Sequence, residues 1–366
     1  MCLLPVCIAM TYGNGRIQNE MNNASAQRGG RNLGVEILRC FACFSVLINH
    51  FNGLKDLPEF VQSAYANFGM FAVPVFMFLS FYFSEKLFLY GDFDQIKKRL
   101  IRLLIPYLIF PIIYFIVFDG VSIVFRDEFK LPIKAFFWQY AFGTYRNFNS
   151  PLWFLLDLII LSVIYIIVFR IVKIEISITF VCLSFFVALL LQYSGLNYRL
   201  FSPLRYEMRW ATGRFCEIIP YAATGFLCAH YGVFEKLKKN RMLSLILSGV
   251  FCLFFIRFKI LPDAPGFGYS YNNCIPLVFF MVCFAYLFPV EKNQRKSLAV
   301  IAFITKFTLG IYCMHLLVGR VFDAVLAVYN TIFNRFLFCI LVYVFCFLIS
   351  FIVSKFPLKY IRMLVD

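Results

Sequence analysis

Charge is scarce in this chain. Asp, Glu, Lys and Arg make up 15% of its 366 residues, where soluble globular domains carry about 25%, so there is too little polar side chain to cover a water-facing surface. Short segments that alternate polar and apolar residues, the mark of a membrane-spanning β-barrel, are missing. So are a fixed-period internal repeat and any polar insertion long enough to be a separate soluble domain. The N-terminal stretch MCLLPVCIAM has no basic n-region and no small-residue cleavage pattern, so no signal peptide is expected there. The 13 cysteines are scattered, and Cys182, Cys228, Cys283 and Cys346 lie inside apolar runs, where a thiol packs as a small hydrophobe. They define neither a disulfide framework nor a redox compartment.

What the chain has in excess is apolar residues, at 62%, with 20% aromatic and 49 Phe; its mean hydropathy is +0.80. Apolar runs close to the length of a membrane-crossing helix recur from Leu33 to Ser354 with short connections. The fold class expected is all-α: a polytopic transmembrane helical bundle of about ten spanning helices. The spans fall near 33–52, 69–89, 100–118, 151–172, 175–193, 215–232, 241–260, 274–290, 298–319 and 335–354. The stretch 130–146 reads as an interfacial or re-entrant segment. Residues 1–32 are expected to be a flexible cytoplasmic tail, 33–354 the membrane domain and 355–366 a short cytoplasmic tail. Met21 opens a more ordinary start, so residues 1–20 read either as part of that tail or as an extension ahead of the true beginning.

The net charge of +16 does not point to nucleic acid, because the cations sit in the short loops between apolar runs. Lys97, Lys98, Arg99 and Arg102, with Lys236, Lys239, Lys355 and Lys359, belong to one set of loops, which carries the larger share of Lys and Arg. By the positive-inside rule that set and both termini are cytoplasmic, which makes the chain a multi-pass protein of the cell membrane with the lipid bilayer as its first partner. Arg199, Arg205, Arg209 and Arg214 oppose the rule from the 194–214 loop, assigned outside. They serve either binding or pairing with lipid head groups, Glu207 and Glu217.

Ionisable residues inside a span cost about 2.5–3.5 kcal/mol each on insertion scales, so each is a functional candidate. The first span, LGVEILRCFACFSVLINHF, holds Glu36, Arg39 and His50. Arg39 and His50 are separated by close to three full turns, so they share a face but lie about 16 Å apart along the axis and cannot touch. Glu36 is three residues from Arg39, a spacing that permits an ion pair. Cys40 and Cys43 form a C-x-x-C on the same helix, but no second ligand pair lies nearby, so packing rather than metal binding is expected.

Arginine, ten residues, then histidine on a first helix resembles the acyltransferase-3 family of membrane-bound O-acyltransferases. The resemblance runs from about residue 31 to 320. FAVPVFMFLSFYFSEK matches the family's Leu-Ser-Gly element with Leu79 and Ser80, and Phe81 stands where Gly is usual. KKRLIRLLIPYLIF is similar to its basic entry to the third helix, with Arg99, Arg102 and Pro106 in register; PLWFLLDLI and TLGIYCMHLLV resemble its Leu-Trp-Phe-Leu element and its late Tyr-x-x-His helix.

The resemblance implies transfer of an acyl group, most often acetyl, from acyl-CoA (acetyl-CoA) to a hydroxyl of a cell-surface carbohydrate or its lipid-linked precursor. His50, Arg39 and Glu36 are then the catalytic candidates. Lys98, Arg99 and Arg102 are expected to hold the donor's phosphates, and Ser80, Trp153, Tyr312 and His315 to border substrate. Acyl-CoA enters as a substrate and leaves no permanently bound cofactor; no metal is expected, and the oligomeric state is not legible. The competing class is a transporter or flippase for a lipid-linked glycan, with Arg39, Glu36 and His315 lining a path. The inverted repeat common in transporters is not detected.

Overall fold

The computed structural model describes residues 32–51, 58, 69–125, 133–143, 151–193, 204, 206–255, 274–287, 295–328 and 334–365. Among them every regular element is a helix. In chain order these are α1 (Leu33–Phe51), α2 (Ala72–Tyr90), α3 (Phe93–Phe125), α4 (Ile133–Phe142), α5 (Trp153–Ile171), α6 (Ile174–Tyr193) and α7 (Tyr206–His230). The chain continues through α8 (Val233–Lys239), α9 (Arg241–Phe255), α10 (Ile275–Leu287), α11 (Arg295–Thr305), α12 (Thr308–Val328), α13 (Arg335–Ser354) and α14 (Lys359–Arg362). Of the tail expected over residues 1–32, all but Asn32 lies outside the described residues.

Seven of these helices, α1, α2, α3, α5, α6, α12 and α13, are long and apolar enough to cross a membrane. Three further expected spans are not among these seven. Helix α7 carries Arg209, Arg214 and Glu217 in its first half, while the described parts of α9 and α10 are 15 and 13 residues long. The expected span at 298–319 is two helices, α11 and α12, with a turn at Lys306 and Phe307 between them. Thr305 Oγ1 donates to the Ala302 carbonyl at 3.1 Å and Thr308 Oγ1 to the Thr305 carbonyl at 2.9 Å, so threonine hydroxyls bond carbonyls in the last turn of α11. The loop expected over 194–214 is helical from Tyr206 onward.

Local signals place the ends of the helices that matter. Asn32 Oδ1 accepts from the Val35 amide at 3.4 Å at the start of α1, and Asp92 Oδ1 accepts from the Gln95 amide at 2.7 Å at the start of α3, both N-cap arrangements. Helix α3 has 33 residues, about 50 Å at 1.5 Å per residue, well beyond a hydrocarbon core of about 30 Å. Lys97 and Lys98 in its first turns are exposed, while Arg99 and Arg102 line a cavity within the bundle.

Helices α1 and α2 are the innermost. Helix α2 packs on α1, α5, α7 and α10, and α1 also meets α11, α12 and α13. Two-thirds of α2 is buried within the protein, against 17% of α6, so α6 lies largely against lipid. Close packing around α2 depends on a glycine: a Cβ at Gly225 on α7 would collide with the Phe78 carbonyl, the small-residue contact that lets membrane helices approach. After α13 the chain turns back, and Val365 is buried against Gly310 of α12.

Candidate functional site

A cavity of about 390 Å³ opens among α1, α2, α3, α5 and α12. One end is cationic and hydroxylic, with Arg39, Arg99 and Arg102 beside Ser80, Ser84 and Thr308; the remainder is apolar, with Leu79, Leu155, Leu158, Phe76, Phe154 and Tyr312. The first turns of α3 aim Arg99 inward. Its Nη1 donates to Ser84 Oγ at 2.5 Å, and its Nη2 donates to Ser80 Oγ at 2.9 Å and Ser162 Oγ at 3.4 Å. The guanidinium also stands over the Phe88 ring, 5.5 Å from its centroid. These hydroxyls orient the charge without neutralising it, and Nε has no hydrogen-bond partner among the described residues. A positive charge fixed in this way at the wall of a cavity attracts an anion.

Arg39 divides its donors. Nη1 pairs with Glu36 Oε2 at 3.4 Å on its own helix, and Nη2 donates to Thr308 Oγ1 at 3.2 Å across the interface with α12. Glu36 does not border the cavity; it offsets part of the charge of Arg39.

Toward the opposite end of α1, His50 meets His315 of α12, with ring centroids 5.1 Å apart. His50 is exposed and His315 is fully buried. His315 Nδ1 lies 2.6 Å from the Tyr312 carbonyl oxygen. A carbonyl only accepts, so Nδ1 carries the hydrogen and, in the neutral ring, Nε2 keeps its lone pair. That Nε2 is buried with no hydrogen-bond partner among the described residues. The Tyr312 hydroxyl donates to the Pro151 carbonyl at 2.9 Å, which ties α12 to the start of α5.

The structure thus gathers Arg39, Arg99, Arg102, Ser80 and Tyr312 around one cavity and sets His315 and His50 beside each other beyond Tyr312. Lys98 is exposed and is not part of the cavity wall. Trp153 also stands outside the wall, 8% exposed, edge-on to Trp210 at 5.8 Å and under the Arg214 guanidinium at 5.8 Å. Arg214 further pairs with Glu217 at 3.3 Å; Arg199, Arg205 and the side chain of Glu207 lie outside the described residues. Phe81, standing where the resembled element has glycine, is fully buried against Tyr165 at 4.7 Å, and α2 runs through it without a break.

Sequence reading passed over Ser84, Ser162 and Thr308. Ser84 was within reach, four residues from Ser80 on one helical face; the other two contact their arginines across helix interfaces and leave no local signal. The third histidine, His230, faces Glu85 Oε1 at 3.2 Å and stacks on Phe226, away from the cavity. No group of three or more His, Cys, Asp or Glu among the described residues is arranged to hold a metal ion.

A family model described as an acyltransferase domain matches residues 32–355. No curated protein and no solved structure matches the chain.

Proposed function

The chain belongs to the acyltransferase-3 family and is a membrane acyltransferase, and on that premise we propose that it moves an acyl group, acetyl in the simplest case, from acyl-CoA to a hydroxyl of a carbohydrate bound for the cell surface. The observation that carries this reading is the cavity with Arg39, Arg99 and Arg102 at one end and the His50–His315 pair just past the other. Anionic phosphates suit the arginine end. The apolar remainder suits the slender thioester arm.

In this reading the CoA phosphates rest on Arg99 and Arg102, while Arg39 faces a phosphate or the polarised thioester oxygen. The acceptor hydroxyl approaches His50 from its exposed side. As its oxygen attacks the thioester carbonyl carbon, its proton passes to the imidazole of His50. The tetrahedral adduct then collapses: the C–S bond breaks, sulfur leaves with the bonding pair, and the imidazolium returns the proton to the thiolate. A covalent variant has His50 take the acyl group first and pass it on. Both termini and the arginine end of the cavity are placed in the cytoplasm, where the basic loops belong, and the acceptor on the other side of the cell membrane.

The direct test incubates membranes containing the protein with radiolabelled acetyl-CoA and follows the label into polysaccharide. Incorporation that depends on the protein is expected; none above protein-free membranes would refute the reading.

A further inference from the structure

Between the arginine cavity and the histidines stand three aromatic rings. Helix α2 contributes wall residues from Leu87 through Ser84 and Ser80 to Phe76, and α5 contributes Leu158, Leu155 and Phe154. Helix α12 runs the other way, with Thr308 beside Arg39 and Tyr312 one turn on. On each of the three helices the wall residue farthest from the arginines is therefore aromatic: Phe76, Phe154 and Tyr312. The three rings pack on one another, with centroids 6.5 Å apart for Phe76 and Phe154, 6.3 Å for Phe76 and Tyr312, and 5.6 Å for Phe154 and Tyr312. Tyr312 cannot swing freely, because its hydroxyl is bonded to the Pro151 carbonyl. The next ring beyond it is His315, 5.9 Å away, and then His50.

We propose that Phe76, Phe154 and Tyr312 form a gate that sets the length of the acyl group the enzyme transfers. This rests on the acyl-CoA reading above. An acyl group carried from the arginine end to His50 has to pass these rings. A two-carbon unit fits beside them with small side-chain movement, whereas each added methylene has to occupy space that a ring already fills. One methylene in an apolar pocket alters discrimination roughly 10–200-fold, so a closed ring cluster is enough to restrict the donor to short chains. Phe76 is the one of the three with partial exposure, which makes it the ring with room to move.

The test compares acetyl-, butyryl- and hexanoyl-CoA, each radiolabelled in the acyl group, in membranes containing the full chain, with transfer to membrane polysaccharide as the readout. The unaltered protein should prefer acetyl. Phe154→Ala and Phe76→Ala each remove a phenyl ring, more room than a hexanoyl tail needs beyond acetyl, and should raise the hexanoyl-to-acetyl ratio at least tenfold. Phe154→Leu and Phe76→Leu keep an apolar side chain and should move the ratio in the same direction by a smaller step; they decide the matter where an alanine variant fails to accumulate. Acetyl transfer with an unchanged chain-length profile in the variants overturns the gate and leaves the acyltransfer reading standing. Transfer from none of the three donors by the unaltered protein overturns that reading, and the gate with it.

Discussion

The rings of His50 and His315 lie 5.1 Å apart, brought together from the first and one of the last membrane helices. One of the two is exposed and the other is buried in the bundle, its Nε2 without a hydrogen-bond partner among the described residues. In the proposed reaction that asymmetry would give them different work, with His50 toward the acceptor and His315 behind it, its hydrogen committed to the Tyr312 carbonyl.

His50→Ala is expected to lower acyl transfer by about 10²–10⁴-fold, the range for loss of a positioned acid–base group, without loss of protein from the membrane. His315→Asn keeps a donor for the Tyr312 carbonyl but removes the buried Nε2, and should cost less than His50→Ala. The double variant should be scarcely worse than His50→Ala alone, since residues acting as a unit are strongly non-additive. Transfer rates normalised to abundance decide it, and near-normal transfer by a well-expressed His50→Ala protein would overturn the mechanism.

The serine cradle predicts a donor phenotype. Arg99→Ala should raise the KM for acyl-CoA by roughly 10–100-fold, because charge-assisted hydrogen bonds contribute about 1.5–3 kcal/mol and each 1.4 kcal/mol is tenfold. It should also make binding more salt-sensitive. Lys98→Ala, at an exposed position outside the cavity, should leave the KM within about twofold. Equal KM values for the two variants would remove Arg99 from the donor site.

Arg39 separates function from support. If it serves the donor, Arg39→Ala should be severely impaired at normal abundance, and Arg39→Lys only partly active, since an ammonium cannot reproduce the planar contacts to Glu36 and Thr308. A purely structural pair predicts the reverse pattern: low abundance for Arg39→Ala, restored in part by Glu36→Gln. Quantitative blotting beside activity distinguishes them.

Orientation is testable at Asp92, an exposed residue at the start of α3. A single cysteine placed there in a cysteine-free background should react with an impermeant maleimide only after the cells are opened. Labelling in intact cells would invert the topology.

Much of the architecture is legible from one dimension. The 33–52 and 335–354 runs become α1 and α13 within one residue, because a helix in lipid needs only a continuous apolar stretch of the right length. The shared face of Arg39 and His50 follows from helical period alone, and both residues do address α12. The division of 298–319 is not legible, since averaged hydropathy is blind to a two-residue turn flanked by threonines whose hydroxyls bond the Ala302 and Thr305 carbonyls.

Which polar groups meet was decided only by the packing of distant helices. The resembled Tyr-x-x-His element marks His315, but nothing in the sequence sets it behind His50, sets His230 against Glu85, or attaches Ser162 to Arg99. Hydrophobicity and period are properties of neighbouring residues, so the chain itself determined the helices and the side chains each one carries. Helices in a bilayer gain little from burying apolar surface against one another. Their arrangement therefore follows close fits such as Gly225 on Phe78 and the cross-helix hydrogen bonds those fits permit, and both exist only once the bundle has assembled.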